Sequence, residues 1–576
     1  MWKKWILPEN GNTDKINSLA ASLNVDTTLA QLLVQRGIST FDEAKFFFRP
    51  QLENMHNPFL MKDMRNAVNR INQAITNNER IMVYGDYDVD GTTAVALVYS
   101  FINKIHENIS YYIPDRYDEG YGISVKGINH AKETDVKLII ALDCGIKANE
   151  KIDYAKSLGI DFIICDHHLP GDNIPNAVAV LDSKRSDCEY PFKELSGCGV
   201  GFKLIQALGE ENNIPFENIE KYLDLVVVSI AADIVPLTGE NRILAFYGLK
   251  RLNENPRRGL KAIIKLSGLE NHQIAIDDIV FKIGPRINAA GRMEQGRSAV
   301  DLLTADSDDL ATEQAAIINS VNNDRKSVDR AITLEAIEMV KNELEHENKK
   351  TTVVYNPNWH KGVVGIVASR LIESFYKPTI VLTKSNGFVS GSARSIPGFD
   401  LHQAIETCSD LLETFGGHTY AAGLTMKEEN LEKFKYRFEK YVNENIDEST
   451  MIQQVAVDSV LDFKQITPKF FRILKQFQPF GPGNMSPVFL TQNVYDDGNS
   501  RKVGSYGEHI KLEIIQEDEP YRPIHGIAFN LSEHFDFIKA GNPIDICYSI
   551  AENYYRGVAN IQLRVKDVKC KEIDFL

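Results

Sequence analysis

Four short apolar runs, each closing on an acidic residue, constrain this chain more than any other feature. The runs 81–84, 137–142, 161–165 and 177–181 are rich in Ile, Val and Leu. They are followed by Gly85-Asp86-Tyr87-Asp88-Val89-Asp90-Gly91, by Asp143-Cys144-Gly145, by Asp166-His167-His168 and by Asp182. Runs of this length, bounded by turn residues, predict buried strands, and the stretches between them are long enough for crossover helices. Such a repeat specifies a parallel α/β sheet, whose chemistry collects where the strands end. The acids are therefore expected along one edge of one sheet.

A chain of 576 residues exceeds a single hydrophobic core, so several domains are expected. Residues 1–75 read as short helices with a polar surface, and 76–245 as the parallel-sheet domain. Residues 246–350 form a connecting helical region. In it Ile317, Val321, Val328, Ile332, Met339, Val340 and Leu344 recur at helical intervals, as one long helix or two stacked ones joining two lobes. A second α/β lobe covers 351–450. From 453 to 576 the period changes to two, as in Ile510, Leu512, Ile514 and Ile544, Ile546, Tyr548, Ile550, which predicts a small β-barrel.

The seven cysteines form no CxxC pair, which argues against a disulfide framework and a structural zinc site. Cys144 and Cys165 are expected as buried core thiols. A reducing cytoplasm is the expected location. No apolar run is long enough to span a bilayer, and the N-terminal stretch carries no signal-peptide pattern. A formal charge of −15 argues against a general nucleic-acid binder, although a basic channel can lie inside an acidic shell.

Asp88, Asp90, Asp143, His167 and Asp233 all lie at segment ends. Carboxylates mixed with imidazole suit Mn2+, and with fewer nitrogens Mg2+. One reading is a pair of divalent ions bridged by a shared aspartate, a geometry that clamps the attacking and leaving oxygens of a phosphodiester. The other is that each acid is a turn former or helix cap. For a single aspartate the second reading is as good; for the whole set with Asp-His-His it is not. Asp86 reads as a residue behind the ligands or a turn former. In an extended segment His168 points away from His167. It either donates to a non-bridging phosphate oxygen or is a satisfied structural histidine.

At these residues the chain resembles the DHH phosphoesterase superfamily and, within it, the RecJ single-strand-specific exonucleases. Further matching motifs are Pro114-Asp115-Arg116, Glu119-Gly120-Tyr121-Gly122, Leu195-Ser196-Gly197-Cys198-Gly199-Val200 and Ile230-Ala231-Ala232-Asp233-Ile234-Val235-Pro236-Leu237. They continue with Pro285-Arg286-Ile287-Asn288-Ala289-Ala290-Gly291-Arg292, Trp359-His360-Lys361-Gly362, Ser392-Ala393-Arg394-Ser395, Gly416-Gly417-His418 and Phe480-Gly481-Pro482-Gly483-Asn484. The resemblance implies two α/β lobes, a DHH catalytic domain with a parallel sheet and a DHH-associated domain, joined by a long helix, plus a C-terminal OB-like β-barrel. It implies metal ligation by Asp88, Asp90, Asp143, His167 and Asp233, with Mn2+ favoured, and groups Asp166 with His168 as catalytic. It implies 5′→3′ hydrolysis of single-stranded DNA in repair and recombination, with a single-strand-binding protein and a helicase as partners. Some relatives carry a histidine where this chain has Tyr84. An alternative within the superfamily is a phosphodiesterase acting on short oligonucleotides or cyclic dinucleotides. A scaffold with an eroded metal site is disfavoured, because all five ligand positions hold ligand-competent residues.

An enzyme that consumes a strand from its 5′ end needs a stop for that end and a track behind it. Arg116, Ser392 and Arg394 suit a terminal phosphate, because guanidinium gives forked donors; surface ion pairs are the plainer reading for Arg116. Arg286, Asn288 and Arg292 lie in a Gly/Pro-containing segment read as a loop, which suits phosphate and sugar contacts; a loop held by its own hydrogen bonds is the weaker alternative. His418, after two glycines, can donate to a phosphate beside the metals; the plainer reading of the glycine pair is a simple turn. His360-Lys361-Gly362 precedes a helix, whose N-terminus attracts anions, although a structural lysine at a helix start is the commoner case. Tyr554, Tyr555 and Arg556 can stack bases or hold backbone, or simply pack on the barrel.

Overall fold

The computed structural model describes residues 3–8, 11–293, 296–344, 349–517, 519–555 and 558–571. The chain forms two compact units, one of residues 52–452 and one of residues 1–51 with 453–576.

The larger unit begins with the parallel sheet. Its strand order is Ile109–Tyr112, Arg80–Gly85, Val136–Leu142, Asp161–Cys165, Ala179–Leu181, all parallel. Successive side chains along a strand face opposite sides. Accordingly Ile81, Val83, Leu138, Ile140 and Ile163 enter one core, with the helices Met64–Thr76, Val89–Ile102 and Gly197–Glu211. Met82, Tyr84, Ile139, Ala141 and Phe162 enter another, with Val125–Glu133 and Asn149–Ser157. Both faces being covered, the strands read as continuous apolar runs.

The segment around Pro285 is helical rather than irregular. A π-helical turn, Ile279–Ile283, runs into the α-helix Gly284–Met293. Pro285 falls at the second residue of that α-helical part. The glycine that looked like a loop signal answers a packing need, since a Cβ on Gly291 would lie 2.3 Å from the Tyr87 carbonyl oxygen. The connecting element is one helix, Asp308–Leu344.

The second lobe is a mixed sheet in the order Leu412–His418, Ala421–Met426, Phe388–Arg394, Thr379–Ser385, Thr352–Tyr355. Only the last pair is parallel. Gly416-Gly417-His418 belongs to the edge strand, paired to 421–423. Its glycines let the two backbones close while leaving one side bare.

In the other unit, strand Lys4–Ile6 pairs in parallel with Gln454–Ala456, tying the N-terminal segment to the start of residues 453–576. Helices Thr13–Leu23, Thr27–Gln35 and Phe41–Phe48 share a core with Phe463, Phe470 and Phe477. Strands Phe489–Asp496, His509–Gln516, Glu519–Ala528, Val558–Cys570 and Ile544–Tyr555 pair successively, and the last returns to the first, closing a five-stranded barrel. Tyr554 and Tyr555 lie at the end of Ile544–Tyr555, and Arg556 is outside the described residues. Among the described residues no helix is long and apolar enough to cross a membrane.

Candidate metal centre and nucleic-acid interface

The loops after the parallel strands bring the acids together. Asp88 caps the helix Val89–Ile102, accepting from the Gly91 amide at 3.0 Å. Asp90, in the first turn of that helix, is locked by three donors. Its oxygens accept from the Gly197 and Cys198 amides, each at 2.7 Å, and from Ser229 Oγ at 2.7 Å. The two amides open the helix Gly197–Glu211, so an anion sits at a helix N-terminus. His167 Nε2 lies 3.1 Å from Asp143, 3.6 Å from Asp233 and 3.7 Å from Asp90. Ligand-type atoms fall within 4.8 Å of one another in three groups: Asp86, Asp88 and Asp143; Asp90, His167 and Asp233; Asp143, His167 and His168.

This donor set fits divalent cations. Both oxygens of buried Asp86 and one of buried Asp143 have no hydrogen-bond partner. Burial, then mutual repulsion, drives the Asp86, Asp88 and Asp143 carboxyls above their ordinary range. Burial and the charges of Asp90 and Asp88 push Asp233 up to about 8. Buried anions without partners are costly, and a cation among them removes the cost. The oxygen-rich set with imidazole nitrogen suits Mn2+ or Mg2+. Cys144 and Cys165 are buried, with thiols pushed upward by burial.

Asp86 is therefore more central than its sequence context suggested. His168 does not turn away from its neighbour: the two imidazole rings are 4.6 Å apart. Asp166 explains why. One of its oxygens lies 2.7 Å from His168 Nδ1 and also accepts the His167 and His168 amides, while the other accepts the Ile146 amide. Burial raises the Asp166 carboxyl, but these bonds outweigh it and hold it below its ordinary range. Burial lowers His168, yet the Asp166 bond leaves it net raised. Its Nε2 meets the Tyr121 hydroxyl at 3.2 Å. Asp166 touches His168 and backbone rather than the other carboxylates.

A cationic cluster adjoins the acids. The Arg116 guanidinium sits 5.2 Å from the centre of the Tyr87 ring. Arg292 donates to the Gly362 carbonyl, and Arg394 donates to Ser392 Oγ at 2.8 Å and to the Ala393 carbonyl. These bonds go to neutral groups. Burial and the neighbouring Arg116, Arg325 and Arg394 push Arg292 down to about 10. Burial and Arg116 also lower His360 and Lys361. Crowded, half-buried positive charge of this kind is relieved by an anion. Ser392 and Arg394 lie two apart on one strand, and Gly365, in the first turn of the helix Val364–Phe375, packs against both.

Arg286 makes its hydrogen bonds elsewhere. It bonds Asn319 and the carbonyls of Lys282 and Leu266. On the helix Gly284–Met293, Asn288 and Arg292 are four apart and share a face, whereas Arg286 projects elsewhere. A cleft of about 570 Å³ reaches His168 and is lined by Tyr121, Lys147, Asp166, His168, Leu169 and His418, among others. Sequence reasoning left Tyr121 and Ser229 unassigned. Ser229 had a signal, as the one hydroxyl in the apolar run 225–232.

The sequence matches the family models for the DHH family N-terminal domain over 80–230, the DHHA1 domain over 348–444 and the RecJ OB domain over 457–567. These define a DHH-type protein extended by two further domains. The single-stranded-DNA-specific exonuclease RecJ of Bacillus subtilis (strain 168) is 39% identical over 562 residues, covering 97% of this chain and 70% of the relative. The RecJ of Salmonella typhimurium (strain LT2) is 34% identical over 525 residues, covering 87% of this chain and 89% of the relative. The crystal structure of RecJ in complex with Mn2+ from Thermus thermophilus superposes with a TM-score of 0.83 at 26% identity, covering 99% of this chain and 80% of that one. The chain belongs to the RecJ family of single-stranded-DNA-specific exonucleases.

Proposed function

We propose that this protein is a metal-dependent exonuclease that hydrolyses single-stranded DNA from its 5′ end. The observation that carries the reading is the juxtaposition of two opposite features: a carboxylate–imidazole cluster with unpartnered buried oxygens, and a cationic cluster centred on Arg116, Arg292 and Arg394. Asp88, Asp90, Asp143, His167 and Asp233 hold two divalent ions, Mn2+ by preference, with Asp86 contributing beside Asp88 and Asp143. When bound, such ions supply Lewis acidity toward a phosphoryl oxygen and ionise water near neutral pH.

The chain's own residues do the rest. The Gly197 and Cys198 amides and Ser229 fix Asp90, so its orientation does not depend on loading. Asp166 acts through His168, fixing the ring so that Nε2 faces the Tyr121 hydroxyl; protonated, and with that hydroxyl displaced by substrate, the nitrogen donates to a non-bridging phosphate oxygen. Arg116, Ser392 and Arg394 receive the terminal 5′ phosphate, with the helix Val364–Phe375 starting beside them. Arg292 and Asn288 contact backbone phosphate, and His360 and His418 border the path. The OB-domain match over 457–567 supports a long single strand over a dinucleotide.

The test is hydrolysis of DNA labelled at either end, single- or double-stranded, with Mn2+, Mg2+ or chelator. Release of 5′ label from single strands in the presence of a divalent ion, abolished by chelator, is expected. Equal attack on duplex, or activity confined to dinucleotides, refutes the reading.

A further inference from the structure

The residue after Asp233 breaks two rules at once. Ile234 has φ of 59°, the left-handed region, where a β-branched residue is an outlier. It directly follows the C-cap of the helix Leu223–Ala232, a position that glycine fills at no steric cost. The residue is 63% exposed, whereas Ala231, Val235 and Leu237 around it are buried. Neither the backbone nor the core accounts for an isoleucine here. Glycine would relieve the backbone, and a polar residue would suit water.

Its location supplies a reason. The Asp233 carboxylate groups with Asp90 and His167, and Ile234 is the next residue along the chain. Two other exposed apolar residues adjoin the site, both in ordinary backbone. Leu169 follows His168, is 62% exposed and lines the cleft. Tyr121 meets His168 and is 54% exposed. A strand handled without regard to sequence offers phosphates, sugars and ring faces, and cations serve only the first of these.

We propose that Ile234 is a substrate contact, an apolar platform for the nucleoside part of a nucleotide adjoining the phosphate at the carboxylate cluster. The proposal rests on the functional reading above and adds a specificity-determining residue to it. The stored backbone strain is then a cost borne for binding, as at other functional outliers.

The experiment compares I234G and I234A with wild type. I234G relieves the strain and removes the contact, so the two effects have opposite signs. Its melting temperature is expected to equal or exceed that of wild type. Its KM for long single-stranded DNA is expected to rise about five- to tenfold with kcat within about twofold, from losing partial burial of one aliphatic side chain. I234A is expected to show the same KM change. The Mn2+ concentration for half-maximal rate is expected to stay unchanged. An unchanged KM in both variants overturns the proposal, as does a shifted Mn2+ requirement, which would mean that Ile234 serves only to place Asp233. Equilibrium binding of labelled single strand, read by anisotropy, is run in parallel. Weakened binding supports the contact even if wild type fails to hydrolyse DNA, an outcome that would defeat the functional reading instead; unweakened binding overturns it.

Discussion

Gly197→Ala is the most searching substitution for the metal centre. Gly197 opens the helix Gly197–Glu211, and a Cβ there would stand 2.6 Å from Asp143 Cβ, 2.8 Å from its Oδ1 and 2.9 Å from its Cγ. Carbon atoms in contact prefer roughly 3.5–4.0 Å, so the overlap is about 1 Å. The atoms met include the root of a buried side chain whose backbone has φ of 57°, not the tip of a flexible one. Asp143 or the helix must move, and moving the helix drags the Gly197 amide from Asp90. Helix propensity alone favours alanine by up to about 1 kcal/mol, while overpacking costs about 1–3 kcal/mol; with the root of a buried carboxylate side chain in the way the upper part of that range applies, so the net is a destabilisation of up to about 2 kcal/mol. Misplacement of a site by about 1 Å costs on the order of 100-fold in rate. Thermal melts with and without Mn2+, and nuclease rates across a Mn2+ titration, measure both effects. A G197A protein that melts at or above wild type and needs no more Mn2+ would refute the geometry argued for Asp143.

Asp143→Asn is expected to lower Mn2+-dependent hydrolysis by about 100-fold or more while leaving single-strand binding nearly intact. It should also raise the melting temperature of metal-free protein, since it removes one charge from a repelling cluster; a nuclease assay and melts in chelator check both. Arg394→Ala is expected to weaken use of 5′-phosphorylated ends by roughly 10–100-fold, from one lost charge-assisted contact, and to reduce the difference from 5′-hydroxyl ends. Asp182, fully buried and pushed by burial up to about 7 from an ordinary 3.8, binds its proton more tightly when folded than when unfolded. Stability tied to it therefore falls as pH rises from about 4 to about 7. Asp182→Asn should stabilise by roughly 2–4 kcal/mol at pH 8 and by nothing near pH 4, read from urea unfolding.

The strand-then-acid repeat was enough to expect a parallel sheet with its site at one edge, because period and length are local properties that survive without tertiary information. The same holds for the period-two runs of the barrel, and for ligand-competent side chains at 88, 90, 143, 167 and 233. Other features had no local signature. Asp86 joins the cluster because Asp143 is folded against it from another strand. His168 turns toward the site because Asp166 holds its ring, overriding the alternation of an extended segment. Arg286 and Arg292 point apart because glycine and proline sit in a helix that packs against Tyr87, where composition alone suggested a loop. Residues 1–51 find their partner more than 400 positions away, in the strand Gln454–Ala456. Local sequence carries the backbone period and the chemistry of each side chain; which charges meet is decided by long-range packing, whose energies arise only once distant segments have closed on one another.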